Sequence, residues 1–193
     1  MFENVKADIR RLRRYGDHSH LFKLYWHNQG LQAVTCYRFG RWLQDSPPPP
    51  LVRHLLKVVF HLWWKAIQDT TGIYISTDAR IGPGFYVGHF GGIVVGAGAV
   101  IGRDCNISQG VTIGWSHYLG EYGVPTLEDR VYLAPGAKVI GPITLGAGTV
   151  AGANAVVVKP TETDAVVGGV PAKVIGDTGS AVFIPPDDTS VDA

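Results

Sequence analysis

One histidine in this chain stands where proton transfer is feasible. His89 lies in Gly88-His89-Phe90-Gly91-Gly92, where small neighbours leave room for a ligand beside the imidazole. A neutral imidazole takes a proton from a hydroxyl near pH 7 and returns it to a departing group. His18, His20, His27, His54 and His61 are read as surface or packing residues. Cys36 and Cys105 are the only cysteines, so neither a disulfide framework nor a thiolate metal site is expected, and a reducing cytoplasm fits.

What must position His89 is a repeat. From Gly72 onward an aliphatic residue returns every sixth position, in three registers. Ile75, Ile81, Val87 and Ile93 form the first, and Val95, Ile101, Ile107 and Ile113 the second. Leu127, Leu133, Val139, Leu145, Ala151 and Val157 form the third. Glycine often follows the aliphatic residue, and a small residue stands four after it at Ala79, Ala99, Cys105, Ala137, Thr149 and Ala155. Six residues then make a flat face and three faces a coil, which predicts a left-handed parallel β-helix of hexapeptide repeats over 72–176. The register breaks over 114–126, a stretch holding Trp115, His117, Tyr118 and Tyr122, which reads as a loop thrown out of the prism. A repeat prism can also carry a trimeric zinc site, but that needs several histidines on neighbouring coils; here only His89 and the loop's His117 are present, so no metal is expected.

Residues 1–71 follow a different rule. Val5, Ile9 and Leu12 recur at helical spacing, as do Leu24, Leu31, Val34 and Tyr37, and then Leu51, Leu55, Val58 and Leu62, which predicts an N-terminal α-helical bundle. Pro47 to Pro50 read as a stiff connector. The 17 basic and 16 acidic residues of this 193-residue chain leave a net charge of +1, which excludes a field able to hold a nucleic-acid backbone. The N-terminus lacks the apolar run of a signal peptide, and a cytoplasmic location is expected. Leu51 to Ile67 is lipophilic but interrupted by Arg53, His54, Lys57, His61 and Lys65, so it does not span a membrane. It reads as a core or oligomer-packing helix, with Trp63 and Trp64 beside the lysines leaving a peripheral membrane contact open. Residues 177–193, with Pro185, Pro186 and several aspartates, read as a mobile, solvated tail.

The chain resembles the bacterial serine acetyltransferases in the hexads, the helical first half, the run Gly84 to Gly96 around His89, Gln109-Gly110-Val111-Thr112-Ile113-Gly114, Gly136 to Ile143, and Gly168 to Ile175. The resemblance runs from about Asp8 to Gly176. It implies an O-acetyltransferase that uses acetyl-CoA as co-substrate with no permanently bound cofactor. It also implies a homotrimer or dimer of trimers, and His89 as the catalytic base acting by direct transfer. On the donor side it implies Ala134, Pro135, Gly152 and Ala153 against the pantetheine arm, with Lys138 and Lys173 as candidates for the nucleotide phosphates.

Departures from the family fall on the acceptor side. Gly88 replaces the family's aspartate before the histidine, Gly123-Val124 replaces the loop's Arg-His, and the helical aspartate's position falls on Gly16, with Asp17 next to it. A zwitterionic acceptor needs countercharges that Gly88 and Val124 do not supply. The acceptor-binding candidates are therefore Asp17, Gly88, His117 and Val124, and the sequence favours a sugar or polysaccharide-precursor hydroxyl over L-serine, since ring faces pack on aromatic side chains. L-serine is the alternative, and a non-catalytic trimeric scaffold the third. The family's cysteine synthase complex uses a tail ending in isoleucine; Ser190-Val191-Asp192-Ala193 argues against that partner.

Overall fold

The computed structural model describes residues 1–16, 19–46, 48–118 and 121–185. The repeat half is a parallel β-helix. Its chain runs through β1 (Ile73–Ile75), β2 (Arg80–Ile81), β3 (Tyr86–Val87), β4 (Ile93–Val95), β5 (Val100–Ile101), β6 (Asn106–Ile107) and β7 (Thr112–Gly114). A hairpin of β8 (Ser116–Tyr118) and β9 (Glu121–Gly123) follows, and the coils resume with β10 (Thr126–Leu127), β11 (Tyr132–Leu133), β12 (Lys138–Ile140), β13 (Thr144–Leu145), β14 (Val150–Ala151) and β15 (Val156–Val157). β16 (Val166–Gly168) and the antiparallel β17 (Lys173–Gly176) close it.

Successive strands go to successive faces. The first face is β1-β4-β7-β12-β15, the second β13-β10-β5-β2, and the third β17-β16-β14-β11-β6-β3. Every aliphatic residue of the three registers points inward, from Ile81 at 6% exposure to Leu145 at 0%. The small residues at the narrow positions, Ala79 to Ala155, are all fully enclosed at 0%. The two-residue slip between the first and second registers falls in the corner between β3 and β4, because Val87 pairs with Ile107, twenty residues on, while Val95 pairs with Ile113, eighteen on.

The helical half packs over the first coils as α1 (Phe2–Arg13), α2 (Leu21–His27), α3 (Gln29–Asp45) and α4 (Pro50–Thr71). The expected second helix is thus two, divided at Asn28, whose side chain accepts a 2.7 Å bond from the Leu31 amide and so caps α3. Among the prolines, Pro50 opens α4, where its missing N–H costs nothing; Pro47 lies outside the described residues. Gly30 lets α3 rest directly on β3, because a Cβ there would run into the Val87 carbonyl.

A buried ion pair within the helical half is bonded to the repeat half through both of its members. Asp8 of α1 receives Arg38 Nε at 3.0 Å and Nη2 at 3.1 Å, and the Phe85 amide at 2.9 Å. Arg38 also donates to the Ile81 and Gly82 carbonyls. Burial pushes the Asp8 carboxyl up from its ordinary range while Arg38 pulls it back. Tyr37 adds a second tie, donating to the Ala79 carbonyl at 2.9 Å.

Two expectations need correction. In α4 the inward residues are Phe60, Ile67 and Thr71, with Trp63 and Trp64 packed against the core, while Leu51, Leu55, Val58 and Leu62 face outward. Helical spacing found that helix but identified its exposed stripe. The expected mobile tail is also anchored over its described part, 177–185. There Phe183 stacks on Tyr132 at 4.5 Å, Arg130 donates to the Ile184 carbonyl at 2.8 Å, and Ser180 donates to the Arg130 carbonyl at 2.6 Å. Proline and aspartate content gave no sign of these partners; residues 186–193 lie outside the described residues.

Candidate active site

His89 stands on the corner where the chain leaves β3, on the third face, for β4, on the first; it is exposed. Gly91 and Gly92 carry φ of 101° and 65°, so the corner needs residues without a Cβ, and around Gly91 the space within 4 Å is open. Gly88 sits close to an aromatic stack. A Cβ there would lie 3.3 Å from the Tyr86 ring, which stacks on Tyr15 with centroids 4.4 Å apart.

Strand register aligns a column beneath His89. Val87, Ile107, Leu133, Ala151 and Val167 pair in sequence down the third face. The next residues continue the ladder: Gly88 N–H donates to Ile107 at 2.9 Å, Ser108 to Leu133 at 3.2 Å, Ala134 to Ala151 at 2.9 Å and Gly152 to Val167 at 2.8 Å. One corner therefore carries Gly88-His89, Ser108-Gln109, Ala134-Pro135, Gly152-Ala153 and Gly168-Gly169 in succession. At roughly 4.8 Å per coil, His89 and Gly169 stand about 19 Å apart.

The structure thus brings His89 together with Ala134, Pro135, Gly152 and Ala153 on a single edge. Lys173 reaches the foot of that edge, since it pairs with Gly168. Lys138, on the first face beside the corner, places its ammonium on the Gly110 carbonyl. Gln109 was not singled out by sequence reasoning. It stands one coil below His89, and its Oε1 is buried without a hydrogen-bond partner. The six-residue period together with the two-residue slip between the first two registers was enough to place it there.

Of the acceptor-side candidates, Gly88 adjoins His89 within the chain and Val124 lies on another edge. Asp17 lies outside the described residues. His117 is in β8 opposite Tyr122 of β9, and its side chain lies outside what is described. This hairpin leaves the corner between the first and second faces, one prism edge away from His89. Val124 packs toward Gly98 on that same edge, 3.3 Å from where a Cβ of residue 98 would be. Trp115 and Tyr122 form an exposed ring pair with centroids 5.5 Å apart. Among the described residues, no group of three or more His, Cys, Asp or Glu is arranged to hold a metal.

A parallel β-helix with helices packed on its first coils has counterparts among known proteins. No protein-family model matches the chain. It is 40% identical over 149 residues to the serine acetyltransferase of Mycobacterium tuberculosis strain H37Rv, covering 77% of this chain and 62% of that protein. It is 35% identical to the serine acetyltransferase of Helicobacter pylori strain J99, covering 76% of this chain and 81% of that protein. The crystal structure of the Brucella abortus serine acetyltransferase in complex with coenzyme A superimposes with a TM-score of 0.77 at 26% identity, covering 92% of this chain and 68% of that one.

The chain belongs to the serine acetyltransferase family. It spans about three fifths of the length of the Mycobacterium relative. The preference for a sugar or polysaccharide-precursor acceptor is overturned by these relatives, all named for serine. It rested on the missing charges at residues 88, 124 and 16 and on the aromatic side chains of the loop.

Proposed function

We propose that the chain is an acetyl-CoA-dependent serine O-acetyltransferase with His89 as general base. The observation that carries this reading is the corner column. An imidazole heads it, and Ala134, Pro135, Gly152 and Ala153 below leave backbone open to close approach by an extended pantetheine arm. Coenzyme A is the ligand in the Brucella abortus relative, which supports acetyl-CoA as the donor. Lys173 at the foot of the column is a candidate for the nucleotide phosphates.

In this mechanism the serine hydroxyl loses its proton to His89 as its oxygen attacks the thioester carbonyl. The tetrahedral adduct expels the coenzyme A thiolate, which takes the proton back from the imidazolium. Atoms balance without an acyl-enzyme. Countercharges for the serine ammonium and carboxylate come from groups other than residues 88 and 124.

We further infer a homotrimer. His89 and the 114–126 hairpin occupy different edges of one prism, so the hairpin of one copy meets the His89 edge of its neighbour when three prisms stand side by side. Mixing His89→Ala chains with chains lacking 116–123 should restore activity in mixed trimers, which a site confined to one chain does not allow.

The reaction is tested by incubating purified protein with acetyl-CoA and L-serine, following free thiol and identifying O-acetyl-L-serine by mass spectrometry. Formation of that product supports the reading. Acetyl-CoA turnover without it refutes serine as acceptor, and bound acetyl-CoA with no turnover on any hydroxyl identifies a non-catalytic scaffold.

A further inference from the structure

The outer face of α4 is used by nothing described so far. At about 100° per residue, Leu51, Leu55, Val58 and Leu62 fall within roughly 60° of arc, and Val52, Val59 and Ala66 widen the apolar face to about 120°. These side chains are strongly exposed: Leu51 87%, Leu55 65%, Val58 58% and Leu62 69%. The helix is not loose, because its opposite face is seated by Phe60, Trp63 and Trp64 against Phe39 and Tyr74.

Charge on this helix is one-sided. His54, Lys57, His61 and Lys65 lie along one flank of the apolar stripe, and no acidic residue occurs from Pro50 to Gln68. The helix's only acid, Asp69, sits at its far end and is paired with Lys65 at 2.6 Å. His54 and His61 turn Nδ1 back to the carbonyls of Pro50 and Lys57, at 2.8 and 2.6 Å, which leaves each Nε2 directed away from the helix backbone.

We propose that α4 lies flat on an anionic lipid surface. Its leucines and valines enter the headgroup boundary, and the basic flank meets lipid phosphates. The tryptophans do not contribute, since both turn inward. Among the described residues no helix is long and apolar enough to cross a membrane, so the contact is peripheral. A second copy of this chain fits the face less well. An antiparallel two-fold pairing of α4 sets one basic flank against the other, where like charges repel.

The test is co-sedimentation of the full chain with vesicles of phosphatidylcholine alone or mixed with phosphatidylglycerol. Wild type should bind the mixed vesicles and release as salt shortens the Debye length. Leu55→Glu with Leu62→Glu, and separately Lys57→Glu with Lys65→Glu, should each weaken binding by roughly tenfold or more. All four positions are exposed, so circular dichroism should be unchanged and the melting transition should shift only slightly, by the loss of the exposed Lys65–Asp69 pair, which separates lost binding from lost fold. Absence of wild-type binding, or equal binding by the leucine variant, overturns the proposal. So does sedimentation velocity without lipid showing that the leucine variant forms a smaller assembly than wild type, because the face is then covered by a second copy.

Discussion

The repeat half and the helical half are held together in opposite ways. In the prism each inward position is one instance of a rule, and Ile81, Ile101, Leu127 and Leu145 do the same work on successive coils of one face. In the helices the decisive contacts are single: Asp8 with Arg38, Tyr37 with Ala79, Asn28 with Leu31. Repetition spreads stability over many equal parts, whereas the helical half depends on a few individual contacts, two of which close over 30 and 42 residues of sequence.

The largest effect should come from breaking the tie between the halves. Arg38→Met leaves Asp8 buried without its partner and is expected to cost about 3–5 kcal/mol in chemical denaturation. A cost under about 1 kcal/mol would place the hold between the halves elsewhere. A single coil should matter nearly as much, because a cavity in the prism cannot collapse between fixed strands. Leu133→Ala, at a side chain with 0% exposure, is expected to cost about 2–5 kcal/mol. The α3 cap is smaller: Asn28→Ala should cost about 1 kcal/mol by the same measurement.

The smallest effect is a matter of access. Cys36 and Cys105 are buried, and burial pushes both thiols up to about 12 from an ordinary value of 9.0. They should resist a thiol reagent at pH 8 in the folded chain and react once urea unfolds it. The raised thiols favour the folded state fully below pH 9, and that contribution is lost as pH climbs toward about 12, because the unfolded thiols ionise first. Rapid native labelling of Cys105 would mean that the prism opens locally.

The same contrast explains what the sequence could show. The prism and the place of the loop were legible because period six constrains many residues at once, and Gln109 was within reach of that rule. The Asp8–Arg38 pair was not legible, since neither residue belongs to a pattern that names its partner. Nor was the outward turn of Leu51, Leu55, Val58 and Leu62, because spacing reveals a stripe and not which side it faces. Gly88 misled for a related reason. A missing charge looked like a change of substrate, and the relatives named for serine overturn that reading.

The central claim is that His89 takes the acceptor's proton at the head of the corner column. The direct measurement is kcat with acetyl-CoA and L-serine for wild type and His89→Asn, with coenzyme A binding measured in parallel. The account predicts a loss of about 10²- to 10⁴-fold in kcat with coenzyme A affinity retained. A variant that keeps near wild-type turnover would contradict it.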